Sequence, residues 1–167
     1  MIGIWVTYDA IPWIEKWLQP SHKGWEFGSG YSTVWLGQRV ESLTSCEHQL
    51  DCYKRVKGLL EKFHLNNVKL IYQPDLKLYP LAIKECPDES LDFVFVDGRQ
   101  RVRCVQQSWT KVKPDGILIL DNSDRPRYSG VFKLLEGWDR LDFRGTGQNP
   151  WTKKVFGTWQ TSIWTRG

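Results

Sequence analysis

Two apolar periods alternate along this chain. Runs such as LDFVFV at 91–96 and ILIL at 117–120 are apolar at nearly every position, as in strands buried on both faces. Between such runs, Leu50, Tyr53, Val56, Leu59, Leu60 and Phe63 recur at the spacing of an amphipathic helix. Read in order, the pattern predicts a strand at 25–27, a glycine turn, a helix over 31–38, a strand at 40–47, the helix through 50–63 and a strand at 67–73. A proline-bounded segment, 74–90, holds at most one short helix. The fourth strand, 91–98, stops at Asp97-Gly98, and a helix follows over 102–112. Pro114-Asp115-Gly116 reads as a turn before a fifth strand at 117–121, and a helix around 131–136 precedes strands at 138–146 and 156–166, joined as a hairpin by a loop at 145–157. The opening segment, about 1–22, carries a short helix on which Trp13 and Trp17, four residues apart, share a face. Strands that alternate with helices and end in a hairpin predict an α/β fold: a mostly parallel seven-stranded sheet, helices on both faces and antiparallel C-terminal strands.

Composition narrows the class. With 167 residues, 41% hydrophobic and 25% charged, the chain is expected to form one globular domain over 1–167. Lys+Arg is 23 against Asp+Glu 19, a net charge of +4, and the cations are scattered except in RQRVR at 99–103 and DRPRY at 124–128, so a nucleic-acid partner is not demanded. Cys46, Cys52, Cys86 and Cys104 show neither a CxxC pair nor zinc-finger spacing, which predicts reduced thiols in a cytoplasmic protein. No apolar run is long enough for a membrane span and the start lacks a signal-peptide pattern, so a soluble chain with no membrane partner is expected.

Candidate chemistry gathers at strand ends. In GWEFGSGYST, 24–33, Gly28 and Gly30 are expected to reach backbone angles closed to other residues and to admit a ligand to the backbone, with the next helix offering free N–H groups to an anion. Thr33 stands where a dinucleotide fingerprint would have its third glycine, which disfavours a pyrophosphate and suits a carboxylate. Glu47, closing the second strand, is placed to accept hydrogen bonds from both hydroxyls of a ribose.

These segments resemble the class I S-adenosylmethionine-dependent methyltransferases. WEFGSGYST is similar to that family's first motif, SCE to its ribose-binding acid, LDFVFVDG to its fourth-strand motif, VKPDGILILDN to its fifth, and the terminal hairpin to its last strands. The resemblance implies a Rossmann-like sheet and S-adenosylmethionine held by Glu26, Phe27, Gly28, Ser29, Gly30, Ser32, Glu47, His48, Asp75, Asp97 and Gly98. Asp97 with Asp121-Asn122 further resembles the divalent-metal O-methyltransferases of the catechol and caffeoyl-CoA type, which implies Mg²⁺ or Mn²⁺ on Asp97, Asp121 and Asn122. Gln100 stands where those enzymes place a lysine base, which leaves Asp97 and Arg99 as the catalytic candidates. The implied activity is O-methylation of a small-molecule or glycosylated acceptor. Arg99, Arg125 and Arg127 follow strand ends and suit an anionic acceptor, while Trp13 and Trp17 either wall the acceptor pocket or pack on the sheet. Few residues precede the first motif, so the acceptor site is expected to be open, with a homodimer partner available to complete its wall. A non-catalytic S-adenosylmethionine-binding module and a dinucleotide oxidoreductase are the alternatives, the second disfavoured by Thr33.

Overall fold

A computed structural model describes residues 3–150 and 152–167, so the first two residues of the opening segment and residue 151 of the hairpin loop lie outside the described residues. In chain order the elements are α1 (Ala10–Trp17), β1 (Lys23–Phe27), α2 (Tyr31–Gly37), β2 (Ser42–Glu47), α3 (Leu50–Lys62), β3 (Val68–Tyr72), β4 (Leu91–Val96), α4 (Arg101–Ser108), β5 (Val112–Asp121), α5 (Ser129–Leu134), β6 (Asp139–Gln148) and β7 (Val155–Thr165). Three 3₁₀ segments, Tyr79–Ile83, Trp109–Lys111 and Pro126–Tyr128, fill connections. The seven strands form one sheet in the order β3-β2-β1-β4-β5-β7-β6, with β1 to β5 parallel and β7 antiparallel to both β5 and β6.

The period-two alternation of β4 and β5 sorts their side chains onto two faces. Val94, Val96, Leu118 and Leu120 pack with Cys104, Val105 and Val131 of α4 and α5. Phe93, Phe95, Ile117 and Ile119 pack with Ala10, Ile14, Trp35 and Leu36 of α1 and α2. All eight strand side chains are fully buried, and each contributes roughly 1.5–3 kcal/mol. That burial clamps β4 between helices on both sides and fixes where its carboxyl end stops.

Three boundaries depart from the pattern. Pro114-Asp115-Gly116 lies inside β5, because the Asp115 N–H donates to the Arg166 carbonyl (2.8 Å) and the Arg166 N–H to that of Gly116 (2.9 Å), which continues the ladder. The helix expected over 102–112 is α4 followed by a single 3₁₀ turn. Pairing of Gly147 with Phe156 and Gln148 with Val155 shortens the hairpin loop, with an irregularity between Gly145 and Gly147.

Candidate functional site

Strand order reverses between β1 and β4, which are adjacent although β2 and β3 extend the sheet the other way. Crevices at such reversals, at the carboxyl ends of the strands, are where open α/β sheets bind ligands. A cavity of about 640 Å³ opens there, inside the usual size range of small-ligand sites. Its floor is a contact between two glycines. Gly28 has φ 96°, and a Cβ on it would fall 2.6 Å from the Gly98 amide nitrogen, so no other residue fits without moving the backbone. Gly30 is different: its φ of −176° is ordinary extended backbone, and the nearest atom to an added Cβ is Ser32 Oγ at 3.9 Å. The expectation of forbidden angles therefore holds for Gly28 and is corrected for Gly30, where the missing side chain leaves open space at the cavity wall.

The turn between them is held from beneath. Glu26 is fully buried and accepts hydrogen bonds of 2.5 Å from the hydroxyls of Ser32, Thr33 and Ser45. Burial pushes its carboxyl up to about 7, against the pull of those hydroxyls. Thr33 Oγ1 also accepts the Gly30 N–H (2.9 Å), and Glu47 Oε2 accepts the Ser29 N–H (2.9 Å). The backbone donors of Ser29 and Gly30, expected to be free for an anion, thus already have partners. Glu47 Oε1 takes the N–H groups of His48 and Gln49, both at 2.8 Å. With three of about four carboxylate acceptor positions filled, one remains on Oε2. His48 Nδ1 lies 2.9 Å from Glu47 Oε1 but outside hydrogen-bonding geometry, and so has no partner among the described residues.

Across the cavity, Arg101 joins the ends of β4 and β5. Its Nε donates to the Gly98 carbonyl (3.0 Å), Nη2 to the carbonyl and Oδ1 of Asp97 (both 2.8 Å), and Nη1 to the Asp121 carbonyl and, at 3.4 Å, to Asn122 Oδ1. Arg101 is 7% exposed. Asp121 turns its Oδ1 the other way, accepting from Trp159 Nε1 (2.8 Å) and Thr161 Oγ1 (2.7 Å) of β7. Burial pushes the Asp97 carboxyl up to about 6 despite Arg101, and burial with the neighbouring Asp97 pushes Asp121 up to about 7. Gln100 (φ 51°) and Asn122 (φ 52°) place both strand-end turns in the left-handed region, a strain that clusters at functional sites.

Residues 25–123 match the family model described as a methyltransferase domain. The chain belongs to that family. Its fold is that of the class I S-adenosylmethionine-dependent methyltransferases, and solved structures bear this out. Precorrin-6y C5,15-methyltransferase from Geobacter metallireducens is 16% identical, with TM-score 0.73 over 92% of this chain and 85% of that one. The O-methyltransferase from Bacillus cereus in complex with SAH is 18% identical, with TM-score 0.73 over 93% and 78%. An rRNA methylase from Streptococcus thermophilus is 11% identical, with TM-score 0.67 over 93% of each chain. No curated protein sequence matches the chain. Among the described residues, no helix of this methyltransferase is long and apolar enough to cross a membrane.

Of the residues expected at the methyltransferase site, Gly28, Ser29, Gly30, Ser32, Glu47, His48, Asp97, Gly98 and Arg99 line the cavity. Glu26 and Phe27 lie behind it, fully buried. Asp75 is exposed and not among the lining residues, and its carbonyl accepts the Tyr79 N–H (2.8 Å) at the start of the Tyr79–Ile83 turn. Trp13 and Trp17 sit at the opposite end of the sheet, in a groove with His22 and Asp115, so they pack on the sheet and do not wall the cavity. Trp5, Tyr128, Pro150 and Arg101 are among the wall residues that sequence reasoning missed.

The Mg²⁺ or Mn²⁺ set of Asp97, Asp121 and Asn122 does not fit a dication. A guanidinium lies among these groups, bonded to the Asp97 carboxylate and the Asp121 carbonyl and 3.4 Å from Asn122 Oδ1, while the Asp121 Oδ1 faces β7. Among the described residues no group of three acidic, histidine or cysteine side chains converges as a metal site. The fixed cation at these strand ends is Arg101.

Proposed function

We propose that this methyltransferase moves the methyl group of S-adenosylmethionine to an oxygen of a small-molecule or glycosylated acceptor, with Asp97 as the base. The observation that carries the reading is the cavity at the strand-order reversal, with the Gly28 turn and Glu47 on one side and the Arg101-held Asp97 on the other. The residues on the first side fit the cofactor. Gly30 leaves the space a Cβ would fill, and Glu47 keeps an acceptor position for a ribose hydroxyl. When bound, S-adenosylmethionine supplies an electrophilic methyl on a sulfonium, open to in-line displacement by oxygen.

Asp97 takes the acceptor's hydroxyl proton as the new oxygen–carbon bond forms. A carboxyl pushed up to about 6 sits near the working pH at which a general base is most effective. Arg101 is a positioning residue, fixing Asp97 by a 2.8 Å bond to Oδ1. Arg99, exposed on the cavity wall, adds positive charge where the oxygen becomes negative.

The test is release of S-adenosylhomocysteine by the full chain across an acceptor panel, with and without EDTA. Asp97→Asn is expected to abolish turnover while S-adenosylhomocysteine affinity, read by calorimetry, stays within about threefold. EDTA is expected to leave turnover unchanged. Binding of S-adenosylhomocysteine without turnover on any acceptor would leave a non-catalytic binding module.

A further inference from the structure

The cavity is lined by five arginines, Arg99, Arg101, Arg103, Arg125 and Arg127, all from the two loops that follow β4 and β5 or the first turn of α4. Among the described residues its carboxylates are Glu47 and Asp97, both already hydrogen-bonded within the protein. Two of the arginines have structural partners: Arg101 is buried between strand ends, and Arg103 Nη2 reaches the Lys77 carbonyl at 3.4 Å. Arg99, Arg125 and Arg127 are exposed, and among the described residues none forms an ion pair, although Arg125 is near enough to Asp97 to pull its carboxyl down. On other faces Lys23, Arg39, Lys111, Lys113, Arg140 and Arg166 each pair with an acid.

Three unpaired guanidiniums on one cavity repel one another, and the arrangement becomes favourable when an anion enters. One is already held in place. The Arg127 guanidinium lies 5.0 Å from the centre of the buried Tyr128 ring, whose centre is 5.4 Å from Arg101. Stacking fixes a planar fork and lowers the ordering cost of a bidentate contact to carboxylate or phosphate. The same cavity is lined by Trp5, packed on Phe156 with ring centres 5.4 Å apart, and by Pro150, apolar surface for the body of a small molecule.

We infer that the acceptor is a compact anion whose carboxylate or phosphate docks on Arg99, Arg125 and Arg127 while its hydroxyl lies beside Asp97. This rests on the methyl-transfer reading above. A nucleic acid is disfavoured because its backbone needs a basic track many phosphates long, whereas these three arginines gather on one cavity from the loop that follows β4 and the loop that follows β5.

The test titrates citrate, inorganic pyrophosphate, uncharged sorbitol and a short oligouridylate into the full chain, both ligand-free and saturated with S-adenosylhomocysteine. Citrate or pyrophosphate is expected to bind at one site and sorbitol not at all, and the tighter of the two anions tells carboxylate from phosphate. Arg125→Gln/Arg127→Gln, at exposed positions, is expected to weaken that anion at least about tenfold and leave S-adenosylhomocysteine within about twofold. Anion binding that is undetectable, or equal in the variant, overturns the proposal. So does oligouridylate that displaces both anions and binds more tightly than either. Failure of S-adenosylhomocysteine to bind would instead overturn the cofactor reading, and titration of the ligand-free chain would still decide whether the arginine wall takes an anion.

Discussion

Replacing Arg101 by methionine keeps much of the side-chain bulk and removes the guanidinium that joins β4 to β5. In the wild type its nitrogens serve three main-chain carbonyls, of Asp97, Gly98 and Asp121, besides the carboxylate of Asp97. Asn122 Oδ1 at 3.4 Å is too distant to add much. Arg101→Met leaves Asp97 half-buried without its counter-charge, and breaking such a pair on one side costs about 3–5 kcal/mol. For a chain of this size each kcal/mol lowers the melting temperature by roughly 2–4 °C, so a fall of roughly 6–20 °C is expected. Arg101→Lys keeps the charge but offers one ammonium to acceptors on two strands, and is expected to recover less than half of the loss. Arg103→Met, an exposed control two residues on, is expected to stay within about 0.5 kcal/mol of wild type. Thermal unfolding followed by circular dichroism, with a urea series to confirm a constant slope, measures all three. An Arg101→Met melting point within about 2 °C of wild type would refute the clamp. A rise of more than about 2 °C when Mg²⁺ is added to wild type would refute the view that the guanidinium stands where a dication would.

Three other outcomes follow from the cofactor side. Gly28→Ala is expected to lose at least about 1–2 kcal/mol from backbone strain alone, whereas Gly30→Ala should unfold within about 0.5 kcal/mol of wild type yet bind S-adenosylhomocysteine more weakly, because its methyl group enters the cavity; calorimetry beside thermal melts separates the two. Glu26 has a folded-state value of about 7 against an ordinary 4.5, so the stability it contributes is full below about pH 4.5 and is lost as pH rises through about 7, a fall of about 3 kcal/mol that Glu26→Gln should remove from the stability–pH curve. Glu47→Ala strips three N–H groups of their acceptor and is expected to cost about 1–3 kcal/mol of stability as well as about tenfold in S-adenosylhomocysteine affinity, with Glu47→Gln intermediate, and an unchanged affinity would argue against the ribose role.

The sheet was legible where burial is symmetrical. β4 and β5 are covered by helices on both faces, so their apolar runs stand out at every position. β6 is an edge strand whose residues 139–142 are exposed, and its Gly145 and Gly147 read as loop residues, so its extent was set by pairing with β7 and not by its own pattern. Pro114-Asp115-Gly116 misled for the same reason. Turn chemistry is local, but the bonds between Asp115, Gly116 and Arg166 that keep this stretch in the strand join residues about fifty apart. Trp13 and Trp17 do share a helix face, yet which end of the sheet they cover depends on how α1 crosses it, a matter of long-range packing.

The site divides along the same line. Gly28 was legible because a φ of 96° needs glycine, and Glu47 by its place closing β2, although the three N–H groups its carboxylate accepts were not. Thr33 was read against ligand chemistry as a missing glycine, although its hydroxyl ties Gly30 to the buried Glu26. The misreading of Asp97, Asp121 and Asn122 as metal ligands has a more general cause. Oxygen-bearing side chains at neighbouring strand ends suit a dication and a guanidinium equally well, and what separates the cases is whether a cation from the chain can reach the gap. Asp97 stands just before α4 and Arg101 four residues later, which brings the two side chains together as the helix begins. That spacing was present in DGRQR at 97–101, where Arg99, two residues before Arg101, drew attention first. Arg101 is also the arginine of that run that the fold buries, and a buried guanidinium must find carbonyls or carboxylates to share its five N–H groups. The carbonyls it finds are those left at the ends of β4 and β5, so the residue that orients Asp97 also holds together the two strands from which the cavity's arginines extend.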